Sequence, residues 1–507
     1  MKALLILTLA LTALLSACAT PTATPEPTPA PREGVPGPTL FGTDWRDPEP
    51  FLAGLIAPQA EALGALPTAT VYHLAFDLSD DLTVVHGIEE VLYTNTEAQP
   101  LDQIALHLYP NLLGGEIAIT STRLNGAEVT PSYGEGEGSM MVPLGSGLAP
   151  GDSVVLRLEF SVRVPQELEL NYGVLASTNG VLAYAHGYPM VAVYDSDGWN
   201  VDIPAPYGDI TYADSSFYLV RVRAPADVVL CGSGTDVART EVDGRQEVTL
   251  AVGPARDFYL AASREYRVAE RQTGGIVLRV CSRTGTQDKA ERTLDIAALS
   301  LDMFGELYAP YPYTKLDIVT IPTSAGGIEY PAAFALNELL YTPGEDFEGR
   351  SEEVLLEAVT VHEVAHEWFY NVVGNDQLHD PWLDEAVAQY ALLRYFGDQH
   401  GDEGASGMRG SFYGRWDRVD REPIPLGMPV AAYDDTAYSA IVYGRGPLFI
   451  ETLERHMGQS TFDAFLKAYT ETFSWEEATP EDFQRVAEAE CDCDLDGLFS
   501  EWVYVSP

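Results

Sequence analysis

Two histidines and a glutamate in the second half of the chain have the spacing of a metal-dependent hydrolase site. In His362-Glu363-Val364-Ala365-His366, a helix would place both imidazoles on one face, with roughly 5–6 Å between their Cβ atoms. A catalytic zinc takes three protein ligands and leaves its fourth position to water. The two histidines supply two ligands, and Glu363 remains available as a base. The third ligand must come from elsewhere.

Glu385, in Trp382-Leu383-Asp384-Glu385, is the candidate for this third ligand. Residues 367–384 separate it from His366, which leaves room for the chain to turn and begin another helix. The alternative is a surface helix with two incidental histidines. Apolar neighbours such as Val361 and Val364 argue against it, because they would bury the helix, and buried imidazoles without a metal would need other hydrogen-bond partners.

Two helices must position these side chains. The first is predicted to begin after Ser351 as its N-cap. Asp380 as N-cap and Pro381 as first helical residue would start the helix that carries Glu385, and Gly397 would end it. Glu385 would then lie close to a rigid helix start, which suits a metal ligand.

Two further segments carry residues that could bind a substrate. A buried strand predicted over 316–321 leads into Gly326-Gly327-Ile328-Glu329, where two glycines would let a peptide backbone approach closely and the carboxylate could hold an ammonium group. Tyr443, in Tyr443-Gly444-Arg445-Gly446-Pro447, opens a helix that is predicted to run to Met457. Its hydroxyl could donate a hydrogen bond, although Tyr438 nearby is a rival for that role.

The rest of the chain indicates a multidomain β + α protein. One Ala- and Leu-rich helix is predicted between Trp45 and Leu66, within a lead-in over 44–67. Short alternating runs separated by turns then predict an all-β sandwich or saddle-shaped domain over 68–264. From 265 to 507 a helical period prevails, as in the helix that ends before Pro310, and a mainly α domain is expected.

The first 43 residues indicate export. Residues 1–17 combine Lys2 with a short apolar run, which is typical of a signal peptide and too short to cross a bilayer as a mature helix. Leu15-Ser16-Ala17-Cys18 is similar to the bacterial lipobox, in which the cysteine is lipidated; an ordinary cleaved signal with an incidental cysteine is the alternative. Residues 18–43, rich in Pro and Thr, would form an extended tether. We therefore expect a protein that is lipid-anchored outside a bacterial cell, on the cell membrane or the outer membrane.

Composition excludes one class of partner. The formal net charge of −47 argues against binding to nucleic acid, because such binding needs a basic surface that displaces counterions. With 46% hydrophobic residues the chain can form a sizeable core. Besides Cys18 it has four cysteines, which in an exported protein allow two disulfides in three connectivities. The Cys491-Asp492-Cys493 spacing is interpreted as structural.

Taken in order, these motifs resemble the gluzincin zinc aminopeptidases of the aminopeptidase N and leukotriene hydrolase type. The resemblance rests on Gly326-Gly327-Ile328-Glu329-Tyr330, the two-histidine string, Trp382-Leu383-Asp384-Glu385 and Tyr443-Gly444-Arg445-Gly446. It covers about residues 70 to 505 and implies an N-terminal β-domain followed by a thermolysin-like catalytic domain.

The resemblance implies a role for each matching position. One Zn²⁺ per chain would be bound by His362, His366 and Glu385. Glu363 would be the general base that takes a proton from zinc-bound water, and Tyr443 would stabilise the developing oxyanion. Glu329, with the Gly326-Gly327 edge, would hold the free α-amino group of a peptide substrate.

Departures from the family pattern leave three functions open. The usual Gly-x-Met-Glu-Asn is here Gly-Gly-Ile-Glu-Tyr, and the family's C-terminal helical domain, which covers the active site, is not expected after 507. A zinc aminopeptidase acting on peptides is the first hypothesis. A zinc endopeptidase with an open cleft is the second. The third is a tethered binding lipoprotein without catalysis, which should lack a catalytic group, whereas all the expected groups are present.

Overall fold

A computed structural model describes residues 40–342, 346–347 and 350–504 of the chain. Cys18 and the predicted signal and tether, up to residue 39, lie outside the described residues. Within them, no helix combines the length and apolar character needed to cross a bilayer.

The lead-in is not the single helix predicted between Trp45 and Leu66. It contains two one-turn helices, α1 (Glu49–Leu52) and α2 (Ala62–Ala65), and the segment between them includes a 3₁₀ turn (Ala57–Gln59). There Leu55 bridges to Tyr313, and the Ile56 amide donates to the Pro312 carbonyl at 2.9 Å. The backbone groups that a helix would use are therefore bonded to a distant part of the chain, and that prediction is wrong.

β-Strands dominate residues 71–263, as the alternating pattern predicted. The strands are β1 (Val71–Leu78), β2 (Val84–Thr94), β3 (Leu101–His107), β4 (Glu116–Leu124), β5 (Ala127–Glu128), β6 (Ser132–Tyr133), β7 (Ser139–Leu148), β8 (Ser153–Arg163), β9 (Leu175–Thr178), β10 (Val181–Tyr184), β11 (Met190–Val191), β12 (Tyr194–Asp195), β13 (Gly198–Trp199), β14 (Ser216–Pro225), β15 (Val229–Gly232), β16 (Thr235–Val242), β17 (Arg245–Ala255) and β18 (Leu260–Ser263).

These strands form one large sheet and smaller sheets that cover it. The large sheet has the order β16-β17-β14-β1-β2-β8-β4-β5, and only its β1–β14 pair is parallel. Two four-stranded sheets, β15-β18-β10-β9 and β11-β3-β7-β6, accompany it. Along β8 every second residue is buried, so one face of the large sheet packs on the core. We call this part the β-domain.

The second part of the chain begins with a mixed sheet and continues with helices. Its strands are β19 (Tyr266–Thr273), β20 (Ile276–Arg283), β21 (Lys315–Ile321), β22 (Gly327–Tyr330), β23 (Ala333–Asn337), β24 (Asp346–Phe347) and β25 (Arg350–Ser351). Its helices are α3 (Gln287–Leu307), α4 (Glu352–Ala365), α5 (Trp382–Trp416), α6 (Asp435–Ala440), α7 (Gly446–Met457), α8 (Gln459–Thr472), α9 (Pro480–Cys491) and α10 (Asp496–Trp502). The five-stranded sheet has the order β19-β20-β21-β23-β22. We call this part the helical domain.

The two helices predicted to carry the site are present, with different ends. Ser351 precedes α4 as predicted. Pro381, not Asp380, is the N-cap of α5, and α5 runs past Gly397 to Trp416. The break in this helix lies at Gly401, where φ is +65°. Gly397 keeps a helical backbone at the point where α5 leaves the core. The prediction that Gly397 ends this helix is therefore wrong.

One buried arginine joins the two parts of the molecule close to the site. Arg256 follows β17 and is 2% exposed. Its guanidinium donates to the Asn371 carbonyl at 3.1 Å and to the Glu476 carbonyl at 2.7 Å, and it forms an ion pair with Glu477. A planar group with five donors can satisfy several buried acceptors at once, so Arg256 fixes the β-domain against the helical domain.

The four cysteines of the described chain form two disulfides. Cys231 on β15 pairs with Cys281 on β20, and Cys491 pairs with Cys493 after α9. The first bond links the β-domain to the sheet of the helical domain. The second closes a very short loop.

We expect the bond between Cys231 and Cys281 to contribute much more to stability than the other. Its cysteines are 50 positions apart, and the chain-entropy relation then gives about 4 kcal/mol for replacing both by serine. The same relation gives between about 1 and 2 kcal/mol for the Cys491–Cys493 pair, which is 2 positions apart. Urea unfolding of the two double variants measures the difference. Equal losses would contradict the expected order.

Candidate metal centre and active site

The side chains predicted to bind the metal converge on one point. His362 lies in the last turn of α4, His366 follows that helix directly, and Glu385 lies in the first turn of α5. The two Nε2 atoms are 3.2 Å apart, and Glu385 Oε2 lies 3.1 Å from His362 Nε2 and 3.6 Å from His366 Nε2. All three residues are buried.

This geometry fits one small cation. With metal–ligand distances of about 2.0–2.1 Å and tetrahedral angles, ligand atoms lie about 3.3–3.4 Å apart, and the three observed distances bracket that value. Glu385 Oε2 is buried and receives no hydrogen bond from the protein. A buried carboxylate oxygen without a donor is costly. The donor set therefore fits a zinc ion, and the role of these residues as its ligands stays a prediction.

Hydrogen bonds orient both imidazoles. His366 Nδ1 lies 3.0 Å from the Phe369 carbonyl, so the Nδ1–H tautomer leaves Nε2 free to bind a metal. His362 Nδ1 lies 3.4 Å from the side-chain amide of Gln389, whose Oε1 is buried without a partner. Burial lowers the pKa of His362, which favours the neutral imidazole that a metal requires.

Glu363 lies next to the three predicted metal ligands and packs against Gly327. An ideal Cβ at Gly327 would lie 2.4 Å from Glu363 Oε1. Burial, with the nearby carboxylates of Glu329 and Glu385, raises the pKa of Glu363 well above its ordinary value. A carboxyl group with a raised pKa is a better proton acceptor at neutral pH. Gly327 thus makes room for the predicted base, Glu363. From the sequence, this glycine was predicted only to contact the substrate.

Glu329 lies on β22 at the edge of a cavity between the two domains. Its Oε1 accepts a hydrogen bond from Gln377 Nε2 at 2.9 Å. The same amide donates to Asp384 at 2.8 Å, and Gln377 Oε1 accepts from the Thr211 amide of the β-domain at 3.2 Å. Burial is the main reason that the pKa of Glu329 is raised. Gln377 was missed from the sequence, because its partners are distant in the chain.

Tyr443, rather than Tyr438, lies at the metal centre. Its hydroxyl donates to Glu385 Oε1, and its ring centroid is 6.1 Å from that of His362. Burial and the Glu385 carboxylate raise the pKa of Tyr443 well above its ordinary value, so the hydroxyl keeps its proton. Tyr438 packs behind it, with ring centroids 5.7 Å apart and its own hydroxyl unpartnered.

Comparison with known proteins identifies the helical domain. Residues 292–502 match the model of the Peptidase family M1 domain. The helical domain therefore contains an M1 peptidase domain over these residues. The chain is 28% identical over 302 residues to Aminopeptidase M1 of Arabidopsis thaliana, covering 56% of this chain and 33% of that protein. It is 27% identical over 369 residues to the puromycin-sensitive aminopeptidase of Caenorhabditis elegans, covering 67% of this chain and 38% of that protein.

Solved structures of the M1 family share the whole fold. The M1 zinc metallopeptidase of Deinococcus radiodurans superposes with a TM-score of 0.62 at 20% identity, covering 87% of this chain and 95% of that one. A mutant of the same enzyme bound to the substrate Tyr-Ser-Ala gives a TM-score of 0.63 at 19% identity, with 87% and 96% covered. The expected order of a β-domain before a helical catalytic domain is thereby confirmed. The chain spans about a third of the length of the M1 relatives from plants and animals named above.

Gly327→Ala is expected to reduce activity strongly while the metal stays bound. The added methyl group would collide with Glu363, whose carboxylate must move, and the three metal ligands are not in its path. Gly305→Ala, in α3, is the control, because a Cβ there would meet no other atom within 4 Å. Peptide hydrolysis and metal content of both variants are the measurements. Full activity in Gly327→Ala would show that Glu363 does not need its observed position.

Proposed function

We propose that this M1 protein is a zinc-dependent aminopeptidase that removes the N-terminal residue of peptides. The observation that carries the proposal is the convergence of His362, His366 and Glu385 on one buried point, beside a cavity that contains a second carboxylate, Glu329. The first group fits a zinc ion. The second fits a free ammonium group such as the one at a peptide N-terminus.

The relatives support the reaction class. The matched proteins of Arabidopsis thaliana and Caenorhabditis elegans are named aminopeptidases, and the matched structures are zinc metallopeptidases. The chain spans about a third of the length of those aminopeptidases. We therefore propose the same activity for this chain on the basis of the residues in its own site.

The reaction follows from the position of Glu363. Zinc, when bound, would polarise the scissile carbonyl and bring the pKa of its water to about 7. Glu363 would take a proton from the attacking water and give it to the nitrogen of the leaving peptide, so one water is consumed for each bond broken. Its packing on Gly327 holds the carboxylate in place for both transfers.

Tyr443 would stabilise the charge that develops on the carbonyl oxygen. Its hydroxyl is partly buried and keeps its proton, and a fixed donor in a site of low polarity is most effective where charge appears in the transition state. It donates to Glu385 in the structure. With substrate present, the same hydroxyl would turn from Glu385 to the carbonyl oxygen.

Glu329 would set the cleavage position. A carboxylate that binds the α-ammonium group places the first peptide bond at the metal and leaves no room for residues before it. The side-chain amide of Gln377 holds this carboxylate by a hydrogen bond to Oε1 at 2.9 Å. A free N-terminus is then part of the substrate, and an internal bond of a blocked peptide is not placed for attack.

The test compares free and N-acetylated peptides with and without a chelator. We expect hydrolysis of free peptides to stop when zinc is removed and to return when it is added. Acetylation should abolish cleavage, and Glu329→Ala should lower kcat/KM for free peptides by about 100-fold or more, since a charge-assisted contact is lost. Equal cleavage of free and blocked peptides would instead support an endopeptidase. Chelator-resistant hydrolysis would contradict the zinc mechanism.

We further propose that the protein is exported and held at the outside of a bacterial cell by a lipid on Cys18. The apolar run and Leu15-Ser16-Ala17-Cys18 support this proposal, and the Pro- and Thr-rich tether that follows would separate the enzyme from the membrane.

Cys18→Ser should release the protein from the membrane fraction without loss of peptidase activity, because the substitution is far from the active site in sequence. Fractionation of expressing cells and incorporation of a labelled fatty acid measure the effect. Cys491→Ser, which leaves the lipidation site intact, is the control. Membrane association that is unchanged in Cys18→Ser would contradict the anchor.

A further inference from the structure

The imidazole of His362 meets residues of α5 at both of its nitrogen atoms. Its Nε2 lies 3.1 Å from Glu385 Oε2, and its Nδ1 lies 3.4 Å from the side-chain amide of Gln389. Glu385 and Gln389 are four positions apart on α5, so the helix carries both side chains on one face, one turn apart. This helix therefore supplies one predicted metal ligand and also contacts the far side of another.

The amide of Gln389 is buried and only partly used. Gln389 is 5% exposed, and its Oε1 receives no hydrogen bond from the described part of the chain. The other polar atom of the amide, Nε2, is the one that faces His362. A buried acceptor without a donor is costly. An unused acceptor thus lies on the same amide group that contacts the predicted metal centre.

Metal binding reverses what His362 Nδ1 needs from this amide. A neutral imidazole that binds a metal through Nε2 carries its proton on Nδ1, which is then a donor. An N–H group that faces the NH₂ group of Gln389 has no acceptor there. A half-turn of the amide exchanges its oxygen and nitrogen and leaves the rest of the side chain in place. That half-turn gives Oε1 a donor and gives Nδ1–H an acceptor.

We propose that Gln389 is a positioning residue for the metal, which holds His362 by accepting the hydrogen bond from Nδ1–H through Oε1. This inference rests on the zinc site of the proposed function and adds to it a residue that is not a ligand. Such a hydrogen bond fixes both the tautomer and the direction of a ligand imidazole, so Nε2 stays aimed at the ion.

The two histidines are held in different ways. His366 Nδ1 lies 3.0 Å from the Phe369 carbonyl, only three positions further along the chain. The partner of His362 is 27 positions away and belongs to another helix. The direction of His366 is therefore set by its own segment, whereas the direction of His362 depends on how α4 packs against α5.

Both acceptors are uncharged amide oxygens, and this affects the metal. Of the three predicted ligands, only Glu385 carries a negative charge. A carboxylate at position 389 would make the imidazole of His362 more basic and would bind the ion more tightly. An amide orients the same ring and leaves more positive charge on the ion, where a hydrolytic site uses it.

The zinc affinity of two variants tests this role without an activity assay. Gln389→Met keeps the length of the side chain and removes the amide oxygen, and we expect it to weaken zinc binding about 10- to 100-fold. Gln389→Glu keeps an acceptor and adds a charge, so it should bind zinc at least as tightly as the unsubstituted protein. Competition with a chromogenic chelator measures the dissociation constants.

Two controls separate positioning from packing. Gln399→Met makes the same change at an exposed position of α5, and it should leave zinc affinity unchanged. Thermal unfolding is measured for each protein with and without zinc. Gln389→Met should unfold close to the unsubstituted protein when both lack zinc, because the two side chains are similar in size, and should gain less stability from added zinc. A packing role alone would lower both melting temperatures equally.

Other results overturn the assignment. Unchanged zinc affinity in Gln389→Met, or equally weak binding in Gln389→Glu, would show that an acceptor at position 389 does not hold His362. Should Gln389→Met not fold, Gln389→Glu decides, because weaker binding than in the unsubstituted protein contradicts the proposal. If the unsubstituted protein binds no stoichiometric zinc, the proposed function fails together with the role of Gln389. If it binds zinc and Gln389→Met binds equally well, only the role of Gln389 fails.

Discussion

The structure depends on keeping several carboxylates together in a buried place. Glu385, Glu363, Glu329, Asp384 and Asp209 all lie around the two imidazoles, and the electrostatic neighbours of each include others of the group. Burial alone disfavours the charged form of every one, and their mutual repulsion adds to that cost. Protonation of some of these carboxylates, or positive charge within the cluster, offsets that cost. A divalent metal at the two imidazoles and, in the proposed function, a substrate ammonium group at Glu329 are two cations that would supply such charge.

The remainder of the fold holds these side chains at fixed distances. Arg256 bonds the β-domain to the segment after α4, and Gln377 bonds Glu329, Asp384 and the Thr211 amide at once. Because one side-chain amide satisfies groups from both domains, a shift of either domain would break its hydrogen bonds. The proposed preference for a free N-terminus would in this sense depend on the interface between the domains as well as on the carboxylates themselves.

How far the sequence predicted this site depends on how local each interaction is. The two histidines are four residues apart on a helix, and Glu385 lies at the start of the next helix, so their approach follows from helix geometry. Gln377 carries no such signal, since its partners Glu329 and Thr211 lie 48 and 166 positions away in the chain. The predicted end of α5 was wrong for a related reason. A glycine at 397 permits a helix to stop but does not force it to do so. The break in the helix lies at Gly401, where φ is positive. The prediction of a single lead-in helix was wrong because Leu55 and Ile56 bond to residues near 313. No local sequence pattern reveals such a contact.

Tyr443 illustrates a further limit of local patterns. The turn Ile441–Arg445 is a π-helical segment between α6 and α7, and an ideal Cβ at Gly446 would lie 2.6 Å from the Ala386 Cβ. Glycine at 446 thus lets α7 approach α5 next to Glu385. The wider π turn changes the direction of the side chains that follow α6, and Tyr443 faces the metal ligand while Tyr438, five residues earlier, packs behind it. An ordinary α-helix through both tyrosines would have set their directions about 140° apart at the usual 100° per residue. The π turn and the close approach of α7 together therefore determine which hydroxyl bonds to Glu385.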